Sequence, residues 1–210
     1  MQIDPQEIPS RDVYFHMIST IVPRPIAWVS TIDGEGRVNL APFSFFTGIT
    51  SRPPTLCICV GNRRDGTPKD TAANIEATGA FVVNVVPHAL TAQMVQTSAG
   101  YAPGADELAA VGLSTTPSIK VKPPRVLEAP AQFECTLHQR VPIMDGDEIT
   151  SRMLIGRIEM IHIRDDVLDN RGFADPALLD AIGRMGGRNY VRAHEVFSGG
   201  KPSDPAEGAS

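Results

Sequence analysis

The chain has 210 residues, 42% of them hydrophobic and 20% charged, with a formal net charge of −5. That size and balance suit one domain with a sizeable core and exclude global disorder. The acidic balance excludes a non-specific nucleic-acid binder, which needs a basic surface to displace counterions.

The opening, MQIDPQEIPSRD, is polar and acidic and lacks the basic start and apolar run of a secretion signal. No stretch approaches the ~18 apolar residues of a membrane span. The three cysteines, Cys57, Cys59 and Cys135, form an odd set without a signal peptide. Reduced thiols and a cytoplasmic location are therefore expected, with no membrane and no nucleic acid among the partners. Cys57 and Cys59 share one face of a predicted strand and read as small core residues rather than metal ligands.

IAWVSTI (26–32) predicts a strand, Asp33–Gly36 a hairpin turn and RVNLAP (37–42) the returning strand. FSFFTGIT (43–50) continues extended, and Arg52-Pro53-Pro54 breaks it. TLCICVG (55–61) is an apolar run that predicts a buried strand. Thr67 as N-cap, Pro68 at the first helical position and Asp70 in capping-box spacing predict a helix to about Ala77, ended near Gly79. AFVVNVV (80–86) predicts another buried strand, followed by short helices over 88–98 and 105–111. Residues 114–128 predict an irregular, proline-broken excursion. A strand over 129–143, a turn at Asp145–Asp147 and a long strand over 149–168, bulged at Gly156, come next. A helix over 176–183 and a strand over 189–194 complete the predicted domain, 1–197, and 198–210 read as a disordered polar tail. Seven or eight strands without a βαβ rhythm favour an antiparallel barrel with helical inserts over a doubly wound sheet.

PRPIAWVSTIDGEGRVNLAPFSFF, then RPPTLCICV, then KDTAANIEATGAFVVNVV, resembles the flavin reductase-like, FMN-binding split-barrel proteins, some of which accompany flavoprotein oxygenases or act as flavoredoxin-like carriers. The resemblance is strongest over 13–90 and looser over 130–168. It implies a mainly β fold, a six-stranded antiparallel Greek-key split barrel. It also implies a homodimer with flavin near the interface, and a flavin-dependent oxygenase as a possible partner.

A flavin mononucleotide needs a home for a phosphate, a row of hydroxyls and an apolar ring with hydrogen-bonding edges. Arg63, Arg64, Lys69, Asp70 and Thr71 sit at a predicted helix start, where free N–H groups and the dipole favour an anion. Lys69 would add charge and Thr71 a hydroxyl, while Asp70 suits capping or positioning of Lys69. Asn74, one turn on, could reach the ribityl or phosphate region. The bland alternative for Lys69 and Asp70 is a solvated first turn. Matching Lys, Thr and Asn positions lie near the flavin in the family that the chain resembles.

In the stretch NLAPFSFF, Asn39, Ala41, Pro42, Ser44 and Phe46 are candidate contacts for the ring edge and ribityl chain, and in the family the backbone here meets the pyrimidine edge. The phenylalanines read equally well as core. Ser30 and Thr31 could supply hydroxyls at the pocket rim or be ordinary strand-end residues. Trp28 reads as core or dimer interface. Arg24, stiffened between two prolines, could reach phosphate, a partner subunit or solvent. Arg188 and Tyr190 follow a Gly-Gly pair, and the family often brings such a C-terminal segment over the pocket. Tyr190 could stack on the ring and Arg188 could meet a phosphate. The five histidines show no metal spacing, although His162 could line the barrel.

The expected function is an FMN-binding oxidoreductase that uses NADH or NADPH to reduce bound or exchangeable flavin, with FAD as a possible replacement. No classical catalytic residue and no metal is expected. A flavoredoxin-like electron carrier without its own NAD(P)H turnover is the main rival, and a flavin-free binding module is a further one.

Overall fold

The computed structural model describes residues 1–99 and 107–200. The last ten residues of the expected tail lie outside the described residues, and 198–200 carry no regular structure.

The elements run α1 (Ser10–Thr20), β1 (Arg24–Pro25), β2 (Ala27–Ile32), β3 (Val38–Phe43), β4 (Phe46–Ser51), β5 (Pro54–Gly61), α2 (Asp70–Thr78) and β6 (Ala80–Asn84). After these come α3 (Thr91–Gln96), α4 (Glu107–Ala110), β7 (Thr115–Thr116), β8 (Arg125–Val126), β9 (Ala131–Asp145) and β10 (Glu148–Ile163). The chain continues through α5 (Pro176–Leu179), β11 (Ile182–Arg184) and β12 (Tyr190–Arg192). The fold is mainly β, as expected. Its main sheet has seven antiparallel strands in the order β3-β2-β6-β9-β10-β5-β4, against the six expected. The terminal strands of that order, β3 and β4, are joined by Ser44 and Phe45 alone. So short a link holds the two edges together and obliges the sheet to curl into a barrel.

Side chains alternate across each strand, and β2 uses both faces. Ala27 and Val29 point inward to a core with Phe43, Leu56, Ile58, Val60, Phe81, Val83 and Leu154, capped by Ala72 and Ile75 of α2. Trp28 points outward to a second core with Leu40, Met94, Leu108, Leu113, Val126 and Ile182. The helical insert therefore covers a barrel face. Trp28 is fully buried and donates from Nε1 to Thr97 Oγ1 at 2.9 Å, which settles it as core. The segment 114–128 is less irregular than expected, because β7 and β8 pair and Glu134 of β9 holds the loop between them. Its carboxylate accepts from the backbone N–H of Ile119 at 2.8 Å and Lys120 at 2.5 Å. His162 lies 2.6 Å from the same carboxylate, so it supports this loop on the outer face and does not line the barrel interior. Burial pushes the Glu134 carboxyl up, but these backbone donors and His162 outweigh it and hold the group below its ordinary range.

Other expectations are corrected. Helix α1 was not foreseen: its apolar residues wrap the helix, and only Ile18 is buried. The helix expected over 176–183 stops at Leu179, because Asp180 turns left-handed and its carboxylate pairs with Arg192 at 2.8 Å. Residues 182–184 become β11, between β1 and β12. Cys57 and Cys59 lie half-buried on the face of β5 opposite Leu56, Ile58 and Val60. Their side chains are thus outside the barrel core, whereas Cys135 is within it.

The bulge expected at Gly156 is present as a register shift between Ile155 and Gly156. A Cβ there would lie 2.4 Å from Phe81 Cζ and 3.1 Å from Cys135 Cβ. The Phe81 ring fills the space that any side chain would need. Gly156→Ala should therefore destabilise the fold by about 1–3 kcal/mol through overpacking. Denaturant unfolding measures this, and an unchanged midpoint would refute the packing argument.

Candidate functional site

The candidate site forms where α2 meets the β2–β3 hairpin. On the inward face, Thr31 and Asn39 are direct register partners. Each reaches the helix: Asn39 Nδ2 donates to Thr71 Oγ1 at 2.9 Å, and Asn74 Nδ2 donates to Thr31 Oγ1 at 3.1 Å. These two bonds fix the rotation of α2 and aim its N-terminus into a cleft. The cleft encloses about 300 Å³, and Asn39, Ala41, Pro42 and Phe43 form one wall. Arg63, Arg64, Lys69, Asp70 and Thr71 form the second, and Thr97–Ala99 after α3 the third.

The helix starts later than the capping pattern predicts. Lys69 is the N-cap, and no side chain caps the helix. Thr67 bonds instead to Asp65, whose Oδ1 accepts from its N–H at 3.0 Å and its hydroxyl at 2.6 Å. Asp65 takes the capping residue into its own turn, which leaves the first-turn N–H groups of α2 without a side-chain acceptor. Asp70 is drawn aside by Arg63, at 2.6 Å from Nη2. That pair lessens the repulsion between Asp70 and any anion at the helix start. The helix does end at Gly79, left-handed at φ 71°.

Thr71 is 1% exposed. Its oxygen accepts from Asn39 and lines the cleft, so its proton is available as a donor there. The Lys69 ammonium lies 5.7 Å from the centre of the Phe43 ring. Desolvation first, and the Arg63 charge second, lower the Lys69 pKa below its ordinary 10.5. An uncapped helix start, a hydroxyl able to donate and an ammonium converge here, and together they suit an anionic oxygen cluster.

Of the sequence-predicted site residues, Asn39, Ala41, Pro42, Lys69, Asp70 and Thr71 line this one cleft. Asn74 and Thr31 sit behind it as the second of the two anchoring bonds. Ser30 is not at a rim: it is 1% exposed, donates to the Pro124 carbonyl at 2.6 Å and accepts from Asn84 at 3.2 Å. Phe46 packs against the barrel core. Arg24 is 5% exposed, which excludes the solvent reading. Its guanidinium donates to the carbonyls of Ile18 at 2.7 Å, Ile21, and Met185 at 3.0 Å. It thus neutralises the C-terminus of α1, where cations belong. Ser44 is its remaining partner, at 3.5 Å from Nε. Tyr190 accepts from Arg184 through its hydroxyl and lies under that guanidinium, 4.6 Å from ring centre to Cζ. Arg188 is exposed on the β11–β12 turn. Neither residue lines the cleft. The wall Thr97–Ala99 was missed, because nothing local in QTSAG marks a ligand contact.

The family model described as "Flavin reductase like domain" matches residues 18–187. The chain belongs to the flavin reductase-like family. A protein of Aquifex aeolicus is 38% identical over 193 residues, covering 92% of this chain and 96% of its own. YwrF of Bacillus subtilis is 36% identical, covering 94% and 97%. Among solved structures, nitrilotriacetate monooxygenase component B from Bacillus cereus superposes with a TM-score of 0.90 at 30% identity, covering 94% of this chain and 98% of that one. Flavoredoxin of Desulfovibrio vulgaris shares the fold, with a TM-score of 0.73 at 23% identity, covering 84% and 90%. The split barrel expected from the sequence is thereby shown.

If the cleft holds a phosphate, Thr71→Val should weaken FMN binding roughly tenfold, since one charge-assisted hydrogen bond is lost. Riboflavin, which lacks the phosphate, should bind both forms alike. Titration of flavin fluorescence measures both, and an equal loss for the two ligands would move Thr71 away from the phosphate.

Proposed function

We propose that the chain binds FMN with its phosphate at the start of α2 and its ring against 39–43, and reduces flavin with NADH or NADPH. The observation that carries this reading is the convergence on one cleft of the Thr71 hydroxyl, held by Asn39, the Lys69 ammonium and an uncapped helix start. A neutral ligand would gain little from that arrangement, whereas a phosphate ester satisfies each donor. Ala41 and Pro42 offer a wall of small side chains against which a flat ring can lie. Bound flavin supplies hydride chemistry at its N5, and the chain supplies orientation and local charge.

The family match and the likeness to an oxygenase component at 30% identity support a reductase role, with a flavin-dependent oxygenase as recipient. The likeness to flavoredoxin extends only to the fold, so the carrier reading rests on less. A homodimer belongs to the same proposal. Its support is the exposure of single apolar residues on three strands, among them Ile49 of β4, Ile143 of β9 and Ile149 of β10. The three unpaired cysteines agree with a reducing, cytoplasmic setting.

The purified chain supplied with FMN should oxidise NADH or NADPH steadily under air. Turnover with neither nicotinamide, while flavin still binds, would leave the carrier reading standing.

The Lys69 charge sets a pH dependence. An ammonium attracts phosphate only while protonated, so the attraction is complete below its pKa and is lost as pH rises through it. Because that pKa lies below 10.5, FMN affinity should start to fall at a lower pH than the titration of an ordinary lysine would give. Lys69→Met should bind more weakly at neutral pH and show no such alkaline decline. A decline of the same size in the variant would assign it to another group.

A further inference from the structure

The cationic wall of the cleft comes from two segments, the turn after β5 that carries Arg63 and Arg64, and the start of α2. The hydrogen bonds from Asn39 and Asn74 set the helix but do not reach the turn. A phosphate held by both segments needs them at a fixed separation.

Asn62 opens the turn, and β10 holds it at three points. Its N–H donates to the Thr150 carbonyl at 3.1 Å, and its Nδ2 donates to the Ile149 carbonyl at 2.5 Å. Its Oδ1 accepts from Arg152 Nη1 at 2.5 Å. The same guanidinium directs Nε to Glu76 of α2, 3.1 Å away. Arg152 thus joins the turn to the helix through one rigid, planar group. Glu76 Oε1 is withdrawn from water and makes no aligned hydrogen bond. Its compensation is the charge of Arg152 and that of Arg140, at 3.4 Å.

A second link between turn and helix is the pair Arg63–Asp70, whose side chains are 38% and 44% exposed. Water screens such a pair, and side-chain freedom opposes it. The Arg152 side chain is 10% exposed, so its bridge is screened less and is the stiffer of the two. Neither Arg152 nor Asn62 lines the cleft itself.

We propose that Arg152 is a positioning residue for the phosphate site: by holding Asn62 and Glu76 at once, it sets the distance between the Arg63–Arg64 turn and the start of α2 without touching the ligand. The inference rests on the reading that FMN binds with its phosphate at the start of α2.

The test is the affinity for FMN and for riboflavin, measured on the full chain and on Arg152→Lys, Asn62→Ala and the double variant. Lysine at 152 keeps the positive charge but lacks the planar fork that reaches both partners. A loss in that variant is therefore not the loss of a charge near the phosphate. Each single variant should bind FMN roughly tenfold more weakly and riboflavin within about twofold of the unaltered chain, since the ring wall 39–43 is not on this bridge. The double variant should fall no more than about threefold below the weaker single one, because both changes break the same link. FMN affinity unchanged in Arg152→Lys, equal losses for the two ligands, or losses that multiply in the double variant would overturn the proposal. If Arg152→Lys shows no cooperative unfolding transition, the same pair of ligands on Asn62→Ala decides: a loss confined to FMN upholds the bridge, and no loss or an equal loss overturns it. An unaltered chain that binds riboflavin as tightly as FMN would overturn the phosphate reading itself.

Discussion

The pair of hydrogen bonds between the β2–β3 hairpin and α2 is the constraint on which the site depends. Thr31 and Asn39 face each other across two strands, and each meets a residue of the helix's first two turns. The helix also plugs the barrel with Ala72 and Ile75, so apolar packing fixes its depth and the two polar bonds fix its rotation. All of these groups are largely withdrawn from water, where an unmatched donor or acceptor costs about 1–3 kcal/mol. The polar pattern admits few other rotations. The Thr71 hydroxyl and the uncapped start of α2 are set at the cleft.

Much of this was legible in the sequence. Alternation and turn residues marked β2, β3, β5 and β6, because strands buried on one or both faces leave a strong local pattern. Lys69, Thr71 and Asn39 were named from residue type and order together with the resemblance to the flavin reductase-like family. What strand alternation could not show was the side on which each hydroxyl would fall. Ser30 and Thr31 are neighbours with opposite fates, one facing the outer loop through Pro124 and the other facing α2. Which face was which depended on the partner elements, and these are distant in sequence.

The remaining misses share that origin. Arg24 read as reaching phosphate, a partner subunit or solvent because its three carbonyl partners lie in two other segments, one of them about 160 residues away. Helix α1 was overlooked because an amphipathic stripe is the usual signal of a surface helix, and this helix lacks one. Thr67 looked like a helix cap until Asp65, two residues earlier, proved the better local acceptor. In each case a tertiary or near-neighbour hydrogen bond overrode a sound local rule.

The guanidinium of Arg24 has a consequence of its own. It grips the end of α1 near residue 20 and the backbone at Met185, while Gly186 lets the chain pass close to Ser19, since a Cβ there would lie 3.3 Å from Ser19 Cα. The two ends of the domain are thereby tied into one cooperative unit. Loosening either end exposes a buried cation and its orphaned carbonyls, so fraying at one terminus propagates to the other.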